Sequence, residues 1–163
     1  MIKLNDILNE DYPFDVYKKI EKLKGGALLR FGNEIWIKIG NRKDQWLCGK
    51  GIEKGVISDS TVVAQRIAKS NKKLKIESKL TEAKMTQTHA KILSNLFIRT
   101  SVESVIPHKD ILFVNYTKYS ERRKLIKYAE KLFKYDSDGR MTNAPSGIPG
   151  VGGTNWIAFK SRN

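Results

Sequence analysis

Near the start of the chain, Phe14, Tyr17, Ile20 and Leu23 recur at helical spacing, and Gly25-Gly26 end the run. The pattern predicts a short amphipathic helix beginning at Asp11 or Pro13. The period then falls to two. Ala27 to Phe31 is apolar, Gly32-Asn33 is a tight-turn dipeptide, and Glu34 to Ile39 alternates. Ile35, Ile37 and Ile39 share one face of that strand, Trp36 and Lys38 the other. A polar loop from Gly40 to Asp44 leads to a third strand, Gln45 to Cys48, around Trp46. Gly49, Gly51 and Gly55 punctuate a basic loop before Val56-Ile57. Ser58 or Asp59 then caps a helix carrying Val62, Val63, Ile67 and Ala68.

A strongly bent meander of about five short strands predicts a small SH3-like barrel with flanking helices over residues 1–70. The polar stretch Lys69, Ser70, Asn71, Lys72 and Lys73 reads as a linker. Residues 74–163 form a second, basic α+β unit. Leu74 and Ile76 lie in a lysine-rich strand, and Met85, Ile92, Leu93, Leu96 and Phe97 mark a helix between Thr81 and Ile98. Val102 to Ile106 and Ile111 to Tyr116 are strands around a Pro107 turn. Ser120 caps a helix to about Tyr135, and Trp156 to Phe159 is a last strand. The order βαββαβ predicts a ferredoxin-like sandwich, so the expected fold class is α+β throughout. Between them, residues 136–154 hold five of the 12 glycines and two of the four prolines, the composition of a long loop.

Charge sharpens this picture. The 163 residues carry 31 Lys+Arg against 17 Asp+Glu, a net charge of +14. Residues 1–70 hold 13 basic and 9 acidic side chains and residues 71–163 hold 18 and 8, so the excess sits mainly in the second half. A charge of this size repels itself unless a polyanion meets it. Three clusters stand out. Lys124, Lys127, Lys131 and Lys134 fall within roughly 80° of helical arc, with Arg122 and Arg123 at the start of that helix. Lys72, Lys73, Lys75 and Lys79 form the second cluster, and Arg42, Lys43, Lys50 and Lys54, in two loops of the barrel, the third. Lysine is a flexible point charge suited to phosphate oxygens, so the pattern implies salt-dependent, weakly sequence-selective binding of nucleic acid.

Among the aromatic residues, Trp36 and Tyr116 are candidates for stacking on bases. Lys109, Phe113, Val114 and Tyr116 match part of the signature strand of an RNA recognition motif, while Asp110, Ile111 and Leu112 depart from it. The glycines from Gly147 to Gly153 are followed by neither Gly-Lys-Ser/Thr nor a helix, which excludes a P-loop. No residues form a catalytic or metal-binding constellation. His89 and His108 lack carboxylates at ligand spacing, and Cys48 is the single cysteine, which excludes an internal disulfide framework. No cofactor or metal is expected. A small ribonuclease using His108 with a lysine is the one enzymatic alternative.

The segment Ala27 to Ile57, with Gly26, Gly32, Trp36, Gly40, Trp46 and Gly49, is similar in pattern to the KOW/Tudor-type SH3 barrels of nucleic-acid-binding proteins. The small, lysine-rich, Asn- and Ile-rich chain also resembles the MotB-like basic DNA-binding proteins of T4-type phages. That resemblance implies action on host DNA or transcription in the host cytoplasm or nucleoid. The sequence contains no apolar run of membrane-spanning length and no signal-peptide start, so a cytoplasmic protein without membrane contact is expected. The expected function is non-enzymatic, largely sequence-nonspecific binding of nucleic acid, with double-stranded DNA favoured over RNA. The alternative is an inhibitor or adaptor that binds an acidic host protein.

Overall fold

The computed structural model describes residues 13–40, 44–77, 85–140, 148 and 155–162. Helix α1 (Phe14–Glu21) buries Ile20. Strands β1 (Leu28–Phe31) and β2 (Glu34–Ile39) pair across the Gly32-Asn33 turn, where Gly32 takes φ 57°, a conformation open to glycine without strain. Strands β3 (Gln45–Lys50) and β4 (Ile57–Ser58) continue the meander. In helix α2 (Ser60–Ser70) the Asp59 carboxylate accepts the Val62 N–H at 3.0 Å, a cap worth about 1 kcal/mol. Strand β5 (Lys75–Glu77) follows, then helix α3 (Gln87–Arg99), opened by a reciprocal capping box between Thr86 and His89. Strands β6 (Val102–His108) and β7 (Ile111–Tyr116) form a hairpin. A 3-10 turn (Tyr119–Glu121) leads into helix α4 (Arg122–Ala129), and β8 (Phe133–Arg140) and β9 (Asn155–Ser161) complete the chain.

Among the described residues the fold is α+β, with four helices and two antiparallel sheets ordered β4-β3-β2-β1-β5 and β6-β7-β9-β8. Neither sheet closes into a barrel among the described residues. The alternation in β2 has a physical outcome on both faces. Trp36, Leu29 and Cys48 share a cross-strand row and pack with Ile20 of α1 and Val63, Ala64 and Ile67 of α2. The opposite row, Leu28, Ile37 and Leu47, enters a larger core with α3, α4 and the second sheet. The sheets touch at Gly49, where a Cβ would lie 2.5 Å from the Val105 carbonyl oxygen. Only a residue without a side chain allows that approach.

Two sequence expectations are corrected. Strand β5, expected to open the second unit, pairs with β1 through Leu28–Glu77, Leu29–Ile76 and Arg30–Lys75, because Ile76 completes the apolar face under the first two helices. The helix expected from Ser120 to Tyr135 ends at Ala129. Residues 133–140, read as its last turn and the start of a loop, form β8 against β9. The second sheet is thus assembled from β6 to β9, without the strand that the βαββαβ order placed before α3.

Candidate nucleic-acid interface

Helix α4 buries Leu125 and Ala129, which turns Arg123, Lys124 and Lys127 to solvent. The Lys124 ammonium donates to the Arg99 carbonyl at 3.3 Å, at the C-terminus of α3, where the helix dipole favours a cation. Lys54 reaches the same corner from the first sheet. Its turn is held against α3 by the Ser94 hydroxyl, which donates to the Gly55 carbonyl at 2.6 Å, and its ammonium lies 3.5 Å from the Val102 carbonyl. Arg99 donates to the Tyr128 hydroxyl at 2.6 Å and lies over that ring, 5.7 Å from its centroid. The Lys118 backbone N–H donates to Ser101 Oγ at 2.9 Å. Glu121 accepts the Ser101 N–H at 2.6 Å, and that bond holds its carboxyl below the usual carboxylate range. The chain corner at residues 99–102 thus gathers Lys54, Arg99, Lys118 and Lys124, with Arg123 and Lys127 on the adjoining helix. Among the described residues none of these six cations forms an ion pair.

The other predicted basic residues fall elsewhere. Lys131 lies in the turn after α4 and Lys134 on β8, so the expected four-lysine stripe is broken after Lys127. Arg122 is ion-paired with Asp138. Lys72, whose stem lies over Gly32, is exposed with Lys73 and Lys75 around β5, the edge of the first sheet opposite to β4. Lys50 is half-buried at the end of β3. Arg42, Lys43 and Lys79 lie outside the described residues.

Both proposed stacking residues are corrected by burial. Trp36 is 0% and Tyr116 1% exposed, so neither ring face is open to a base. Trp36 sits instead under the two N-terminal helices. The partial RNA-recognition signature fails for the same reason, since Phe113, Val114 and Tyr116 lie in an interior strand with all three side chains buried. His89 is buried and spent on its capping box. His108 shares a cross-strand row with Ile111, Lys160 and Lys134. The described residues contain no group of three or more His, Cys, Asp or Glu arranged for a metal ion. Cys48 is buried, and burial first, with Glu34 second, pushes its thiol up to about 12.

Sequence reasoning missed two groupings. One is a buried polar network behind β2. The Lys38 ammonium, 3% exposed as a residue, donates to Asp44 Oδ1 at 2.9 Å and lies over the Trp46 ring. Asp44 Oδ2 accepts the Ser60 N–H at 3.1 Å, the Ser60 hydroxyl donates to Asp44 Oδ1, and the Trp46 indole N–H donates to Ser60 Oγ at 2.9 Å. The signal was legible: Lys38 shares the face of Trp36, and a carboxylate stands six residues on. The other grouping lies beside α4. Arg122 is over the Tyr135 ring at 5.7 Å, and Arg140 is over the Tyr119 ring at 5.6 Å. The Tyr135 hydroxyl donates to Asp138 Oδ1 at 2.9 Å and accepts from Arg122 Nη2 at 3.2 Å.

Comparison with protein-family models, curated proteins and solved structures finds no match to this chain. Among the described residues no helix is long and apolar enough to cross a membrane.

Proposed function

We propose that this protein binds nucleic acid without catalysis and largely without sequence preference, through lysine contacts to backbone phosphates, and that duplex DNA is its main ligand. One observation carries the reading: Lys54, in the turn after β3, and Lys124, on α4, are seated on carbonyls of the same chain corner. The corner concentrates six cations around the carboxylate of Glu121, an excess of positive charge that a phosphate backbone neutralises. Lysine predominates over arginine there, which suits oxygen contacts more than base reading. The resemblance to MotB-like phage proteins adds a host chromosome as the DNA in question.

Fluorescence anisotropy with a blunt duplex between about 50 and 200 mM salt tests the proposal. The wild type should show a log–log slope of about −5 or steeper. The Lys54→Gln/Lys124→Gln/Lys127→Gln variant should lose up to about 2.7 from that slope, at about 0.9 per phosphate contact. An unchanged affinity and slope in the variant would refute the assignment of these lysines.

A second reading has its own support. Ile52 is 91% and Ile98 77% exposed; Ile52 stands two residues before Lys54, and Ile98 adjoins Arg99. Exposed apolar side chains close in sequence to basic ones suit an acidic protein partner. That reading requires a stoichiometric complex that survives nuclease treatment.

A further inference from the structure

We propose that the cluster Tyr119, Arg122, Tyr135 and Arg140 is a stacking subsite for an unpaired base, which adds affinity for an unpaired stretch to the backbone binding of the duplex; this refinement rests on the backbone-binding reading above. Tyr119 is 57% and Tyr135 37% exposed, and each ring carries a guanidinium over it. Tyrosine faces and guanidinium planes are the surfaces on which splayed bases stack, whatever their identity. A base inside a duplex presents no free face to them.

The subsite is organised before any ligand arrives. Tyr135 is held through its hydroxyl by Asp138 and Arg122, and Arg122 is itself ion-paired with Asp138. Less side-chain entropy is therefore lost when a base settles on the ring. The register fixes Arg140 as well, since Tyr116, Asn155 and Arg140 form one cross-strand row on the helix side of the sheet. Tyr116, buried beneath the cluster, has its phenol pushed above the usual tyrosine range by burial, with the neighbouring Tyr119 and Tyr135 adding to the shift and Arg122 opposing it. Tyr116 of β7, Tyr119 of the 3-10 turn and Tyr135 of β8 thus gather around Arg122 of α4. The next residues along α4, Arg123 and Lys124, belong to the basic corner. A strand whose phosphates lie on that corner brings its bases to the tyrosines.

The test compares three ligands at one salt concentration: a single strand of about 12 nucleotides, an abasic strand of equal length, and a blunt duplex. The abasic strand keeps the phosphates and lacks the rings. The wild type should bind the base-bearing strand about tenfold or more tightly than the abasic one, the factor that about 1.4 kcal/mol of stacking gives. In the Tyr119→Leu/Tyr135→Leu variant that gap should vanish while duplex affinity stays unchanged, and Tyr119→Phe/Tyr135→Phe, which keeps both rings, should restore it. Equal binding of the two strands by the wild type, or a gap that persists in the leucine variant, would overturn the subsite and leave the phosphate reading intact. Failure to bind any of the three would overturn both.

Discussion

Replacing Asp44 with Asn removes one charge from the network behind β2 and leaves a buried ammonium. Lys38 has a side chain only 4% exposed, and its one carboxylate partner among the described residues is Asp44. Breaking a buried ion pair from one side costs about 3–5 kcal/mol, because the remaining charge stays desolvated. Asp44 is itself 38% exposed, and water reaching the pair lowers the expected loss to about 2–3 kcal/mol. The Lys38→Met/Asp44→Asn double variant removes both charges and should recover most of it. Urea denaturation followed by tryptophan fluorescence measures this directly, since Trp36 and Trp46 are fully buried. The sign of the pH dependence follows from the same contacts. Burial raises the Asp44 pKa, but the hydrogen bonds from Ser60 and Lys38 together outweigh it and hold the carboxyl below its usual range. A folded-state pKa below the unfolded value adds stability that is present above the unfolded pKa and lost as pH falls through the folded one. Wild type should therefore lose this increment on acidification, and Asp44→Asn should not. A single variant within about 0.5 kcal/mol of wild type, or a double variant no more stable than the single, would refute the network's role.

Two further outcomes follow from packing. Gly139→Ala would set a Cβ 2.7 Å from Trp156 Cζ2, and we expect a loss of about 1–3 kcal/mol with an altered near-ultraviolet tryptophan signal; an unperturbed melting curve would contradict the close contact between β8 and that indole. Cys48, buried and with its thiol pushed up to about 12, should resist a thiol-directed reagent at pH 8 in the native protein and react fully in guanidinium; rapid native labelling would show that the first core opens readily.

Local rules carried the parts of the fold that local interactions decide. The β1–β2 hairpin follows from alternation around a Gly-Asn turn, and α2 from an Asp59 cap ahead of a helical apolar stripe. What local pattern could not carry is the choice of partner. Strand β5 has three residues, and it pairs with β1 across more than forty intervening positions, so nothing in its own sequence says which sheet it joins. The end of α4 shows the same competition. Leu132 and Phe133 continue the apolar spacing of Leu125 and Ala129, yet Phe133 is drawn into pairing with β9 and packs against His89 and Phe159. Tertiary contact overrides a helical period there.

The candidate site divides along the same line. Net charge is additive and therefore visible in composition, whereas convergence is a property of the fold. Lys54 and Lys124 stand seventy residues apart in sequence and meet because the turn after β3 docks on α3 while α4 packs beside its end. The aromatic reading failed in an instructive way. Trp36 and Tyr116 lie within strands of well-packed sheets, where a large ring stabilises the core most, and burial took them both. Tyr119 and Tyr135 lie on a 3-10 turn and an edge strand, where one side of the backbone stays open to water. Among the described residues the large exposed rings, Phe14, Tyr119 and Tyr135, all lie at element ends or on a sheet edge rather than within the interior strands.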